Sequence, residues 1–528
     1  MLFNRLSLKL AFLIALPSIQ TNVFAADPAL PDESTWNRAY EKRPLTATET
    51  KALMKRLATF VVDNHMKRRD DSQQRGMVYE YLDMRRRGEF DQFVQGEALD
   101  TMHDGAWLAV AMVNAYRATG DPYYKEVLTR WQLPFYLKML NHSDELFTTK
   151  RNDARADAMP WNKEHGLQEG EKGFVPYYWD DGGSVSLERR RDQNPLAIRP
   201  SVDDFAGKEN PKYLLSGYSQ GSSNHLAQDL GVMLLTSYQL LADSKDLADQ
   251  KLAQEVKAAA KNLHECRLRH HGNIPMCVAP WAVASKDAAL AKVMPAANDK
   301  KWLTPSNHFT QAFVNFKPGQ KYSSPGFADN EQYLFYAALA RQAVEEPGKK
   351  MPPPLAYKIV FDAFTERLFI EKYYDDTPRP PGINRFDLYP LFAIDGQLEH
   401  VRSQKKGPFN RPIPLGSRMG PQNMIVCGWA LQQLKAHPGL WDEQTPFKLD
   451  GKRITEAEVT AALDRELHGG LRTWEAVFDA YGYIPTSLHR GPQWDHFSDS
   501  GGYAHLISAA AQALLLAEGK DDWQSGME

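Results

Sequence analysis

The sequence predicts an all-α fold: an (α/α) toroid of paired antiparallel helices, incomplete or closed, with long loops at its mouth. Three observations predict it. Apolar residues recur at helical spacing along most of the chain, while strand-like alternation is scarce. The helical segments come in pairs whose two members differ in character. Long loops rich in Gly, Pro and aromatic residues separate them.

Taken in order, the chain begins with a leader. Arg5 and Lys9 form a basic region, residues 10–16 an apolar run, and Val23-Phe24-Ala25 a small-residue cleavage sequence. Residues 1–25 therefore read as a secretory signal peptide. The run is too short to span a bilayer as an anchor. The expected protein is periplasmic or secreted, with no membrane association after cleavage. Residues 26–528 read as a single toroid domain, since 43% hydrophobic residues in 528 supply an ample core.

After a Pro-rich lead, helical patterns cover 47–65, 97–118, 122–140, 222–241, 248–270, 328–344, 354–373, 421–435, 454–480 with a break near Gly469, and 502–518. Segments 97–118, 222–241, 328–344 and 502–518 are small-residue-rich and apolar nearly all round, as inner helices must be. Their followers, such as 122–140 and 248–270, carry charge on one face and read as outer helices. Alternating buried and half-buried antiparallel helices close into a toroid. An open α-solenoid would need repeats of more regular length and shorter loops. The chain stays helical to its end, which argues against a separate C-terminal β-sandwich and places the last helix against an early one.

A formal net charge of -3 argues against a general nucleic-acid binder, so any anionic partner must be met by local clusters of Lys and Arg. Of the three cysteines, Cys266 and Cys277 are spaced either for a small disulfide loop or as two buried thiols, and Cys427 reads as a core residue. No Cys/His spacing matches a zinc site, and the Asp-rich loops lack calcium-ligand spacing. No metal or cofactor is expected.

In a toroid the loops that lead into the inner helices share one mouth. Those loops, at 174–191, 217–225, 316–333, 381–392, 414–423 and 491–505, are rich in Trp, Tyr, Arg, Asp and Asn. Loops of such length are usually functional. Aromatic faces stack on pyranose rings and polar groups fix hydroxyls, so the loops point to a cleft for an anionic polysaccharide or oligosaccharide. Packing of the rim is the alternative for any one of these residues.

The most unusual stretch is "SSNHLAQDL", residues 222–230. Ser222 or Ser223 can N-cap the following helix, which puts Asn224 and His225 in its first turn, where developing negative charge is favoured. Asp229, one turn on, is placed to hold the imidazole in one tautomer. An Asn carboxamide beside a neutral His suits removal of a proton next to a carboxylate.

This element resembles the Asn-His pair of the (α/α)-toroid polysaccharide lyases, the alginate lyases and their glucuronan- and hyaluronan-cleaving relatives. The likeness covers about ten residues; the leader and the paired helices agree with it along the chain. The resemblance implies that Asn224 neutralises the uronate carboxyl and that His225 acts as base or positions it. It also implies a Tyr acting as acid or base on a loop after the next outer helix, with Arg nearby. Tyr322 is the single Tyr between His271 and Gly326, and becomes the candidate; Tyr389 is the reserve. Arg385 and Arg418, on mouth loops, are the candidate carboxylate partners, because the guanidinium fork binds both oxygens.

Further candidate substrate contacts are Tyr218 ahead of the pair, His103 and Trp107 one turn apart on an inner helix, Trp179 and Asp180, and His496. His103 and Trp107 read equally as a core pair. Asp180 and Asp181, with Asp495 or Asp499 as partner, suggest an inverting glycosidase on the same barrel. A structural Asp-Gly turn would also explain them. The function expected is therefore β-elimination of a uronic-acid polymer, with a glycoside hydrolase or a non-catalytic glycan-binding protein as the alternatives.

Overall fold

The computed structural model describes residues 31–32, 36, 39, 42–68, 75–86, 93–94, 98–146, 172–173, 224–242, 244–271, 415–416, 419–444, 448–449, 452–488 and 496–518, with single positions between 353 and 364. They are mostly helical with almost no sheet, consistent with an all-α fold.

Helix α1 (Ala47–Asn64) opens on a capping box. The Glu49 amide donates to Thr46 Oγ1 at 3.2 Å, and the Thr46 amide donates to the Glu49 carboxylate at 2.8 Å. Helix α2 (Ala98–Thr119) turns at Gly120 into α3 (Pro122–Val127), capped by Asp121, whose carboxylate accepts from the Tyr123 amide. The expected single helix over 122–140 is divided. A π-helical turn, Leu128–Gln132, joins α3 to α4 (Leu133–Asn141). Pro134 explains it: the ring offers no N–H to Arg130 and would crowd that carbonyl, and the Leu133 amide reaches back to Leu128 instead. A short α5 (Ser143–Leu146) follows.

Next come α6 (Asn224–Ala242) and α7 (Leu247–His271), then α8 (Met419–Ala436), α9 (Leu440–Gln444), α10 (Glu456–Tyr481) and α11 (Ser500–Glu518). Helix α10 has its own capping box, Thr455 with Glu458, and stops at Gly482, which adopts φ 72°. The break expected near Gly469 is absent. Gly470 is there for close packing: a Cβ on it would stand 2.6 Å from the Met424 sulfur of α8. The expected helices 328–344 and most of 354–373 lie outside the described residues.

Contacts between elements arrange these helices in two rows. Helices α6, α2, α11 and α8 are neighbours in one row, and α7, α3–α4, α1 and α10 pack outside them. The inner row runs parallel. Asp104 and Trp107 of α2 meet Ser500 and His505 of α11, so both helices begin at the same end. Lys435, at the end of α8, donates to the carbonyl of Leu516, at the end of α11. Outer helices run the other way: Phe60, late in α1, and Phe478, late in α10, both meet Tyr503, early in α11. Gln132 donates to the Gly105 carbonyl, setting α4 antiparallel to α2. Lys125 pairs with Asp249, and Asn262 donates to Asn141, so α7 runs with α3–α4. Helix α6, joined to α7 by a short turn and packed on it, then runs parallel to α2.

All four inner helices thus start at one end, and short ladders lace the segments that lead into three of them. Strand β1 (Tyr81–Asp83) pairs antiparallel with β2 (Phe93–Val94), which leads into α2, and with β7 (Phe497–Asp499), which leads into α11. Strand β3 (Leu415–Gly416), ahead of α8, pairs with β6 (Ser487–Leu488). Between them, β4 (Lys448–Leu449) and β5 (Lys452–Arg453) form a hairpin ahead of α10. One contiguous apolar core fills the space between the rows, with Trp36, Trp441, Trp474, Tyr124 and Tyr136 its largest fully buried side chains. As expected of the last helix, α11 packs on the early helices α1 and α2, and Ser500 to Leu515 are all buried. Cys266 and Cys427 are buried, Cys427 on an inner helix as its apolar context predicted; Cys277 lies outside the described residues. Among the described residues no helix is long and apolar enough to cross a membrane.

Candidate functional site

The end at which the inner helices begin concentrates the buried polar groups, and the junction between β7 and α11 is its centre. Asp499 caps α11: its Oδ1 accepts from the Gly501 amide at 3.0 Å, satisfying a donor that the helix itself cannot. Ser500 donates its hydroxyl to Asp104 Oδ2 of α2 at 2.8 Å. Both carboxylates are buried, and both lie at the positive end of the α11 dipole, which favours their charge. One turn further, the rings of Trp107 and His505 meet with centroids 4.5 Å apart.

Behind this junction lies a chain of hydrogen bonds. His65, which follows α1, places Nδ1 2.9 Å from the Tyr79 carbonyl and Nε2 2.9 Å from Ser498 Oγ. Ser498 Oγ is 3.2 Å from the Tyr503 hydroxyl, which accepts from the Ile484 amide at 2.8 Å. His65, Ser498 and Tyr503 are all fully buried. Burial holds the His65 imidazole down to about 4, against smaller raising effects from the Tyr79 carbonyl and the Asp499 charge. Burial likewise pushes the Tyr503 hydroxyl far above the ordinary tyrosine range, against smaller lowering effects of Ser498 and Ile484.

On the side of β1, Asp83 accepts from Arg85 through both oxygens at 2.8 Å, and the Arg85 guanidinium lies 5.6 Å from the Phe497 ring centroid. The His496 carbonyl accepts from the Met84 amide at 2.9 Å, which ties the start of β7 to the end of β1.

Of the residues singled out in the sequence, Asn224 and His225 open α6 and so stand in its first turn, and His103 lies near the start of α2. Helices α2 and α6 are parallel neighbours, so these positions share one end of the helix row with the β7–α11 junction. Trp107 is buried at 6% exposure and His496 at 2%. Tyr218, Tyr322, Arg385, Tyr389, Arg418, Trp179 and Asp180 lie outside the described residues.

Sequence reasoning missed His65, Ser498, Ser500 and Tyr503. For His65 a signal existed: it follows Val61 by one turn, on the buried face of α1, where a polar residue requires partners. Ser498 and Tyr503 carried none, because the contact that gives them a role, Ser498 with His65, joins residues 433 apart in sequence. Among the described residues no group of three or more His, Cys, Asp or Glu is placed to hold a metal ion. Compared with protein-family models, with curated proteins and with solved structures, the chain matches none.

Proposed function

We propose that the protein is an exported (α/α)-toroid polysaccharide lyase that cleaves a uronic-acid polymer of the alginate or glucuronan type by β-elimination. The two-row packing with parallel inner helices supports a toroid. The observation that carries the function is the place of Asn224 and His225: the first turn of an inner helix, at the shared end of the row. There the unpaired amides and dipole of the helix start favour an anion.

In this reading the Asn224 carboxamide and Arg385 hold the uronate carboxyl, and the charge that spreads onto it as C5 loses its proton is met by donors already in place. His225 or Tyr322 removes the C5 proton. The electron pair forms the C4–C5 double bond as the C4–O bond breaks, and the second of the two groups returns a proton to the departing glycosidic oxygen. His103, Trp107, Trp179, Asp180, Tyr218, Tyr389, Arg418 and His496 are the candidates to line the sugar subsites. No step needs a metal or cofactor.

Incubation of the mature protein with alginate, glucuronan and hyaluronan tests this through the ultraviolet absorbance of the unsaturated uronide. The expected result is a rise with one polymer that His225→Ala abolishes. Reducing ends without that absorbance would move the assignment to hydrolysis by carboxylates, Asp180 or Asp181 with Asp495 or Asp499 as partner. Binding without either product would make it a glycan-binding protein.

A further inference from the structure

The chain of bonds behind the β7–α11 junction has one direction. A carbonyl only accepts, so His65 Nδ1 must carry the proton it shows to Tyr79. In the neutral ring Nε2 then accepts, so Ser498 donates to it. The Tyr503 oxygen accepts from the Ile484 amide, which leaves its own proton for Ser498 Oγ. The protons in the run from Ile484 through Tyr503, Ser498 and His65 to Tyr79 therefore all point in a single sense.

The run joins parts of the chain that are far apart. Tyr79 and His65 belong to the segment between α1 and β1, Ser498 to β7, Tyr503 to α11, and Ile484 to the stretch after α10. The Tyr79 amide also donates to the His65 carbonyl at 2.9 Å, the Asp499 amide to the Ile484 carbonyl at 3.1 Å, and the Ser500 amide to the Glu80 carbonyl at 2.9 Å. Backbone and side-chain bonds therefore converge on the three residues, 498–500, that bring β7 into α11. The next bond outward is that of Ser500 to Asp104, on the helix that carries His103 and Trp107. A rotation of α11 about its axis would leave these buried polar groups unpaired, which is costly.

We infer that His65, Ser498 and Tyr503 are positioning residues, a one-way hydrogen-bond relay that sets α11 and, through the Ser500–Asp104 bond, α2 for catalysis at the shared helix end. The catalytic part of this inference rests on the lyase reading; the relay itself does not. Tyr503→Phe is the clean perturbation, because the ring keeps its stacking on Phe60, centroids 5.1 Å apart, and its edge contact with Phe478. It removes the hydroxyl alone.

Two readouts test the inference on the full-length protein. Nitrogen NMR of the His65 imidazole at neutral pH, assigned by its loss in His65→Gln, should show a protonated Nδ1 and a hydrogen-bonded, unprotonated Nε2. The Nε2 signal should move in both Tyr503→Phe and Ser498→Ala. A protonated Nε2, or a signal indifferent to both variants, overturns the relay whatever the protein's activity. On the polymer that yields unsaturated uronide, Tyr503→Phe should lower kcat about tenfold with KM within about twofold, the sign of a misplaced catalytic arrangement rather than lost binding. Unchanged kcat and KM beside a lowered melting temperature would make the relay purely structural. If the wild-type protein makes no unsaturated uronide, the catalytic part falls with the lyase reading, and the imidazole spectrum alone decides the relay.

Discussion

Acid should destabilise this protein through His65, and the size of the effect can be worked from its surroundings. The imidazole is fully buried, its Nε2 is an acceptor, and burial holds it down from 6.5 to about 4. In the unfolded chain it titrates at its ordinary value. Between the two values the unfolded state binds the proton and the folded state does not, so stability falls as pH falls from about 6.5 towards 4. Above that window both states are neutral and the full stability is present; below it the loss is complete. At about 1.36 kcal/mol for each pH unit of difference, the loss comes to about 3 kcal/mol. Protonation would also turn Nε2 into a donor facing Ser498, and the Ser498 proton would lose its acceptor. Denaturant unfolding followed at steps from pH 7.5 to 4.5 measures it, with His65→Gln as the reference that subtracts the carboxylates titrating over the same range. The wild-type curve should fall more steeply than the variant's, by about 3 kcal/mol in total. Parallel curves would refute the buried, neutral, hydrogen-bonded state of His65.

Three further outcomes follow from particular contacts. Gly105→Ala places a Cβ 2.3 Å from the Tyr136 hydroxyl and should cost about 1–3 kcal/mol in thermal unfolding. Adding Tyr136→Phe, which withdraws that oxygen, should recover part of the loss, a coupling that a double-mutant cycle reads directly. Thr455→Ala dismantles the capping box of α10 and should lower stability by about 1 kcal/mol, measured as a shift of the denaturation midpoint without a change in slope. Asn224→Ala, under the lyase reading, should lower kcat about 10²–10³-fold, the effect of removing one oxyanion donor, while far-ultraviolet circular dichroism stays unchanged.

The helices were legible because their apolar residues repeat with the right period. Residues 47–65 became α1 and 248–270 became α7 within a residue or so at either end, and the small, apolar segment 502–518 became α11, buried as far as Leu515. Punctuation was harder to read. Gly469 and Gly470 look like a stop, yet the missing side chain of Gly470 serves the approach of α10 to Met424, and the helix runs on. Pro134 does not end its helix; the turn ahead of it widens instead. Helix pairing was legible at the level of inner and outer faces, because burial all round is written in composition. The parallel sense of the inner row depends on contacts such as Asp104 with Ser500, 396 residues apart in sequence, and no local pattern encodes those.

The candidate site divides in the same way. Asn224 and His225 stood out because a Gly- and Ser-rich loop runs into an apolar helix, and the structure does open α6 at Asn224. His65 did not stand out, since a polar residue at a helix end is ordinary. Only its burial beside Ser498 and Tyr79 reveals that it joins two ends of the chain.

The most direct test of the central claim is the ultraviolet absorbance of the wild-type protein and of His225→Ala on a panel of uronic-acid polymers. A rise with one polymer is expected for the wild-type protein and none for the variant. Equal rates for the two, or release of reducing sugar with no rise in absorbance, would contradict it.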